Sequence, residues 1–223
     1  MAYGMSDPGL KKVRKAIVPV GSMEQHGPHL PVSTDAIIGE YVAKKVAPLV
    51  GAVVMPTIAY GVSFEHRPLF NASVRKGTLA ATVSDVCASL AAFGFTQIII
   101  LNGHYGNIAA LKNITRNPRI PQGASVHVLH YWRAMKGELG HAGDVETSLV
   151  LAIAPELVDM GKAVPGAKKK PSKSTLTSKP GSFIKITGNG VWGDPRGASA
   201  EKGNRLLKEI TKNLAKTISE LQA

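Results

Sequence analysis

Cysteine is almost missing from this chain. Cys87 stands alone, so no internal disulfide can form, and its place in the apolar-periodic stretch 83–93 marks it as a buried small residue rather than a nucleophile. Aromatics make up only 5% of residues against 44% hydrophobic, which predicts a core of Ala, Val, Ile and Leu and leaves the few rings for rims and pockets. No apolar run approaches a membrane span, and Met1 to Lys15 show no cleavage-like pattern, so the expectation is a soluble, cytoplasmic protein without a membrane partner. No Gly-x-Ser-x-Gly elbow occurs, which argues against a serine nucleophile. Nothing divides the 223 residues in two, so one domain over 1–223 is expected.

Acidic residues are scarce as well: 15 Asp and Glu face 27 Lys and Arg, for a net charge of +12. Lys162, Lys168, Lys169, Lys170, Lys173 and Lys179 crowd in and beside 164–180, read as a flexible basic loop, and Lys202, Arg205, Lys208, Lys212 and Lys216 lie along the last helix. A basic nucleic-acid-binding module is therefore the competing class. Neither stretch interleaves aromatics for base stacking, and no helix-turn-helix, zinc-finger or RNA-recognition pattern is visible, so a solvated surface is expected and nucleic acid is not the expected partner.

What the chain does contain is alternation. Apolar runs 16–22, 52–56, 97–101 and 124–131 read as strands, and helical patterns follow over 36–49, 79–93, 108–115, a stretch opened by 140–148, and 198–221. Residues 183–187 read as a further short strand and 57–78 as a long loop, of a length that is often functional. Strand-then-helix order predicts an α/β fold: a three-layer α/β/α arrangement around a mostly parallel sheet, with sites outside the strands' carboxyl ends.

Polar clusters fall where that fold puts sites. Glu24 and His26 follow the first strand and, two apart on extended chain, project to one side. Asp35 follows a Pro-stiffened turn, with Asp35 or Thr34 read as the cap of the next helix, and His104 follows the third strand. Imidazole and carboxylate without thiolate suit two divalent ions such as zinc, manganese or iron(II). Asp35 can bridge two such ions, Glu24 with His104 completing one and His26 with a further carboxylate the other. Glu146, at a helix start, is the candidate for that carboxylate and for a catalytic role; a first-turn Glu favourable to the helix dipole is the plainer alternative. His141, framed by Gly140 and Gly143, is a candidate proton donor, and Asp144 reads as a helix N-cap. Tyr105 and His29 are candidates for substrate contacts, His29 as a rim residue or a supporting partner.

The segments Pro19-Val-Gly-Ser-Met-Glu-Gln-His-Gly-Pro-His-Leu-Pro-Val-Ser-Thr-Asp35, Asn102-Gly-His-Tyr-Gly-Asn107 and His141-Ala-Gly-Asp-Val-Glu-Thr-Ser148 together resemble the creatininase (creatinine amidohydrolase) family, in the same order and at similar spacing. The resemblance runs from about Ile17 to the last helix and includes 190–203. It implies an α/β/α fold, a dinuclear metal centre, hydrolysis of a small amide C–N bond and a homohexamer. By that similarity Glu24, His26, Asp35 and His104 fall on metal-ligand positions, His141 on the catalytic histidine and Trp132 on an aromatic of the substrate pocket. The chain departs from creatininase at Gly106, where that enzyme has a metal-binding carboxylate. Glu146 then stands in for it, or the second ion is weakly held. The aromatic-rich lid is also reduced to residues 135–140. Both departures point away from creatinine itself; the resemblance leaves another small cyclic amide or a formamide, with the formamidopyrimidine-nucleotide deformylases and the peptidase of mycofactocin maturation as alternative branches.

Overall fold

The computed structural model describes residues 7–10, 12–116, 118–168 and 180–221. After a turn of helix, α1 (Asp7–Leu10), the chain alternates: β1 (Lys15–Val20), α2 (Thr34–Val50), β2 (Ala52–Val54), α3 (Lys76–Phe93), β3 (Gln97–Asn102), α4 (Ile108–Leu111), β4 (Ser125–His130), α5 (Asp144–Ile153), α6 (Ser182–Thr187) and α7 (Ala200–Glu220). The strands form one four-stranded sheet in the order β2-β1-β3-β4, with every pairing parallel.

Alternation along β3 explains the layering. Ile98 and Ile100 point to one face and join Leu79, Val83 and Cys87 of α3 and Leu111 of α4. Ile99 and Leu101 point to the other and meet Ile38 and Val42 of α2, Leu149 of α5 and Leu207, Ile210 and Leu214 of α7. A sheet buried on both faces reads as an unbroken apolar run, which is what β3 is. The expected three-layer α/β/α arrangement is the one observed.

Order 2-1-3-4 means that the chain leaves β1 toward one edge and returns at β3 to build the other. The crevice between the carboxyl ends of β1 and β3 is the switch point where open parallel sheets place their sites. Glu24 and His26 follow β1 and His104 follows β3, so both reach that crevice.

Some expectations are corrected. Residues 183–187 are helical rather than extended: α6 opens after Gly181 in the left-handed conformation, and Phe183 turns inward beneath the chain's buried histidines. Ser33, not Asp35 or Thr34, occupies the N-cap of α2, and its side chain makes no capping bond. Asp35 stands instead in the first turn, buried and turned toward the crevice. Gly143 is the N-cap of α5, while Asp144 pairs with Lys202 of α7. Of the basic segment 164–180, residues 169–179 lie outside the described residues.

Candidate metal centre and active site

The loop after β1 brings a carboxylate and an imidazole together by simple means. Glu24 and Asn71 form an antiparallel bridge, and the backbone N–H of Glu24 donates to the carbonyl of Val32 at 3.0 Å. The Glu24 side chain is fully buried: Oε2 accepts from Ser22 Oγ at 3.0 Å, while Oε1 has no hydrogen-bond partner. His26 donates from Nδ1 to the Glu24 carbonyl at 3.1 Å, which leaves Nε2 as the lone-pair nitrogen, buried and unpartnered.

After β3, Gly103 lets the backbones close up, since a Cβ there would stand 2.6 Å from the Asp35 carbonyl oxygen. Asn102 and Asn107 then lace the turn. Asn102 Nδ2 donates to the His104 carbonyl at 2.8 Å, Asn107 Nδ2 to the Gly21 carbonyl at 2.9 Å, and Asn107 Oδ1 accepts from the Val62 N–H at 2.9 Å. His104 donates from Nε2 to the Val62 carbonyl at 3.0 Å, so Nδ1 faces the crevice with its lone pair.

The donors meet there. His104 Nδ1 lies 2.9 Å from Asp35 Oδ2 and 3.2 Å from Glu24 Oε1, and His26 Nε2 lies 3.3 Å from Asp35 Oδ1 and 4.0 Å from Glu146 Oε2. At these distances Glu24 Oε1, Asp35 Oδ2 and His26 Nε2 still have no well-aligned hydrogen-bond partner. Buried polar atoms are rarely left so. The ligand atoms of Glu24, His26 and Asp35 all lie within 4.8 Å of one another, as do those of His26, His141 and Glu146. Spacing, donor type and unpartnered atoms all fit divalent cations.

The carboxylates and imidazoles of the cluster also shift one another's titration. Burial alone would drive the Asp35 pKa up, yet His26 and His104 outweigh it and hold the carboxyl well below the usual range. Burial would lower His26 and His104, but the surrounding carboxylates, Asp35 first for His26 and Glu24 first for His104, lift them to about 9 and about 10. Glu146 is pushed up to about 7, chiefly by burial, although its Oε2 accepts from the Ala142 N–H at 2.6 Å.

Ala142 takes a left-handed backbone with φ 49°, a strained conformation for a residue other than Gly, and so turns His141 into the cluster. Reciprocal backbone bonds with Trp192, 3.0 and 2.8 Å, hold His141 there. Its Nε2 donates to the Gln25 carbonyl at 2.9 Å, leaving Nδ1 free toward Glu24 Oε1, 4.0 Å away. Burial first, then the neighbouring His26 and His66, keep the pKa of His141 well below the ordinary histidine value.

A cavity of about 220 Å³ opens onto this cluster, walled by Tyr105, Trp132, Phe183 and Trp192, with Glu138 and Leu139 at one side. Tyr105 and Trp132 stack with ring centroids 5.9 Å apart. His29 stands elsewhere: it is 2% exposed, its Nε2 bonds Thr147 Oγ1 at 2.9 Å, and it does not line the cavity. Its bond to Thr147 sets it against α5, the supporting position of the two expected for it.

Three participants escaped sequence reasoning. His66 Nε2 lies 3.1 Å from Glu24 Oε1, Glu65 Oε1 lies 3.7 Å from His104 Nε2, and the Gln25 amide bonds His66 Nδ1 at 2.8 Å. Glu65 is pushed up to about 7 by burial, with the Glu24 charge adding to it. Both Glu65 and His66 lie in the long loop 57–78, and loop length was the one signal that pointed there.

Buried carboxylates and imidazoles gathered at the switch point of a parallel sheet define a candidate metal centre. The chain belongs to the creatininase family: the family's sequence model, described as Creatinine amidohydrolase, matches residues 5–218. It is 34% identical over 225 residues to the mycofactocin precursor peptide peptidase of Mycolicibacterium smegmatis, covering 94% of this chain and 86% of that protein. It is 31% identical over 239 residues to the creatinine amidohydrolase of Pseudomonas putida, covering 92% and 88%. Among solved structures, a creatininase carrying a tryptophan-to-phenylalanine mutation superposes with a TM-score of 0.85 at 28% identity, covering 98% of this chain and 97% of that one. A structure named Creatininase Mn gives 0.82 at 28% identity, covering 98% and 96%. The chain is thus a metal-dependent amidohydrolase of that family, with buried His, Asp and Glu side chains placed to hold divalent metal.

Proposed function

We propose that the protein hydrolyses a small amide with two divalent cations, zinc, manganese or iron(II), held by Glu24, Asp35 and His104 on one side and by His26, Asp35 and Glu146 on the other. The observation that carries this reading is Asp35: Oδ2 faces His104 Nδ1 at 2.9 Å and Oδ1 faces His26 Nε2 at 3.3 Å, so one carboxylate addresses both sides. When bound, the cations supply Lewis acidity toward an amide carbonyl and acidify water.

His141 handles the proton. With Nε2–H committed to the Gln25 carbonyl, Nδ1 is the atom that accepts a proton from the attacking water and returns it to the departing nitrogen. Its depressed pKa favours release rather than retention of that proton. Glu146 braces the strained His141–Ala142 turn through its bond to the Ala142 N–H.

The cavity, about 220 Å³, lies below the roughly 300–1,000 Å³ of drug-sized pockets. Tyr105, Trp132, Phe183 and Trp192 offer flat surfaces, so a small planar amide is the preferred substrate class. Likeness to the mycobacterial peptidase favours a second reading, in which the end of a short peptide enters the same cavity. An assay of the manganese- and zinc-loaded protein against cyclic amides, formamides including a formamidopyrimidine nucleotide, and short peptides separates the two. Turnover undiminished after chelation would overturn the metal-dependent reading. With this reading goes a cytoplasmic homohexamer, whose assembly light scattering behind a sizing column tests.

A further inference from the structure

On the proposed reading, the cation on the His104 side is held by Glu24, Asp35 and His104. Position 106, two residues beyond His104, is where a neighbouring carboxylate would be expected from the family resemblance, and it is glycine. The structure shows why no side chain stands there. A Cβ on Gly106 would lie 2.1 Å from the Val62 carbonyl oxygen, 2.5 Å from His104 Nε2 and 2.8 Å from Glu65 Oε1. The loop through Val62 and Glu65 has taken the space that a side chain at 106 would need.

That loop is firmly seated rather than draped. The Val62 N–H bonds Asn107 Oδ1 at 2.9 Å, the Val74 N–H bonds the Gly61 carbonyl at 2.9 Å, and the Ser63 N–H bonds Ser73 Oγ at 2.8 Å. It delivers Glu65 to 3% exposure on the cavity wall beside His104, with no Lys or Arg against it in the described ion pairs. The basic group nearest Glu65 in those pairs is the His104 imidazole, with Nε2 3.7 Å from Glu65 Oε1 and beyond hydrogen-bond reach, so a cation would be the closer partner.

Glu24 also lies within 4.8 Å of ligand atoms of His66 and His141, but of the other groups nearby Glu146 and His66 have their polar atoms committed elsewhere. Glu146 sits on the far side, against His26 and the Ala142 N–H. His66 is occupied. Gln25 Oε1 accepts from the Gly27 N–H at 3.0 Å, which fixes the amide, so Gln25 Nε2 donates to His66 Nδ1 at 2.8 Å. The His66 proton is then on Nε2, 3.1 Å from Glu24 Oε1, so that nitrogen has no lone pair for a cation.

We propose that Glu65 supplies the further carboxylate ligand of the cation held by Glu24, Asp35 and His104, so that the 61–66 loop replaces, from across the crevice, the side chain that Gly106 lacks. This rests on the two-cation reading. Metal-free wild-type and Glu65→Gln proteins are titrated with manganese(II) and zinc(II) by calorimetry, and the manganese-loaded forms are compared by electron paramagnetic resonance, which separates coupled from isolated ions. The wild type takes up two equivalents with a coupled signal. Glu65→Gln, which keeps the shape of the side chain, retains one tight equivalent with an isolated-ion signal, and its second equivalent weakens at least about 10-fold; circular dichroism verifies the fold. Two equivalents of unchanged affinity in Glu65→Gln overturn the role of Glu65. A wild type that binds a single ion overturns the two-cation reading instead.

Discussion

Residues of one type play different parts here because their second contacts differ. His26 and His104 each spend one ring nitrogen on a backbone carbonyl and turn the other toward Asp35, whereas His66 accepts from Gln25 at Nδ1 and so carries its proton on Nε2. His141 Nδ1 is a lone-pair nitrogen, set 4.0 Å from Glu24 Oε1, too far to share a hydrogen with it. It follows that His141→Gln lowers kcat by roughly 10²–10⁴-fold while metal content, measured by mass spectrometry, stays at the wild-type level. Asp35→Asn behaves in the opposite way. It removes the charge that both sides share, so metal uptake in the same measurement falls, and activity is lost because the protein is unloaded. The four metal-type residues Glu24, His26, Asp35 and His104 were legible in the chain because they lie in short motifs next to strand ends. Glu65 was not, because its pairing with His104 is made across 39 positions of sequence by the fold of a loop.

Elements show the same division. β1 and β3 announce themselves as unbroken apolar runs, since strands covered on both faces have no solvent side to mark. α6 misleads because Phe183 and Ile184 carry strand-like composition in a segment too short for a helical period to develop, and tertiary burial of Phe183 against His66 and His141 decides its form. α3 carries Cys87 on its buried stripe, and burial pushes the thiol up to about 12. The expected outcome is a thiol inert to a disulfide reagent at pH 8 in the native protein and fully reactive in denaturant, read by absorbance of the released thiolate. Where α2 meets β3, a Gly103→Ala change forces a methyl into the Asp35 backbone. It should destabilise the fold by about 1–3 kcal/mol in urea titration.

At the scale of the molecule, two cores on opposite faces of a single sheet hold the crevice, and the crevice holds buried carboxylates and imidazoles whose donor atoms fit divalent cations. Chelation should therefore lower the melting temperature by several degrees, with manganese or zinc restoring it, as linkage requires of a ligand bound to the native state alone. A pH effect is expected apart from the metal cluster. Burial first, and the Arg133 charge second, lower His130 to about 4. Between that value and the ordinary 6.5 or so the unfolded chain binds more protons, so the contribution of a neutral His130 is complete above about pH 6.5 and is lost as pH falls toward 4. The loss is on the order of 1–2 kcal/mol once partial exposure is allowed for. His130→Asn, compared with wild type by urea unfolding at pH 7 and pH 5, should show the shallower decline. Among the described residues no helix is long and apolar enough to cross a membrane.

By itself, the sequence determined the layered class of the fold, the parallel alternation and the family, because these rest on local apolar patterning and on motifs read along the chain. It also determined that Glu24, His26, Asp35 and His104 would stand near strand ends, since a strand carries the next few residues of the chain to its own carboxyl end. Tertiary structure decided the rest: which nitrogen of each histidine faces the crevice, that Asp35 addresses both sides of it, that His29 stands against α5, and that a distant loop fills the space above Gly106. Those outcomes depend on distances between segments far apart in sequence, and no local pattern encodes them.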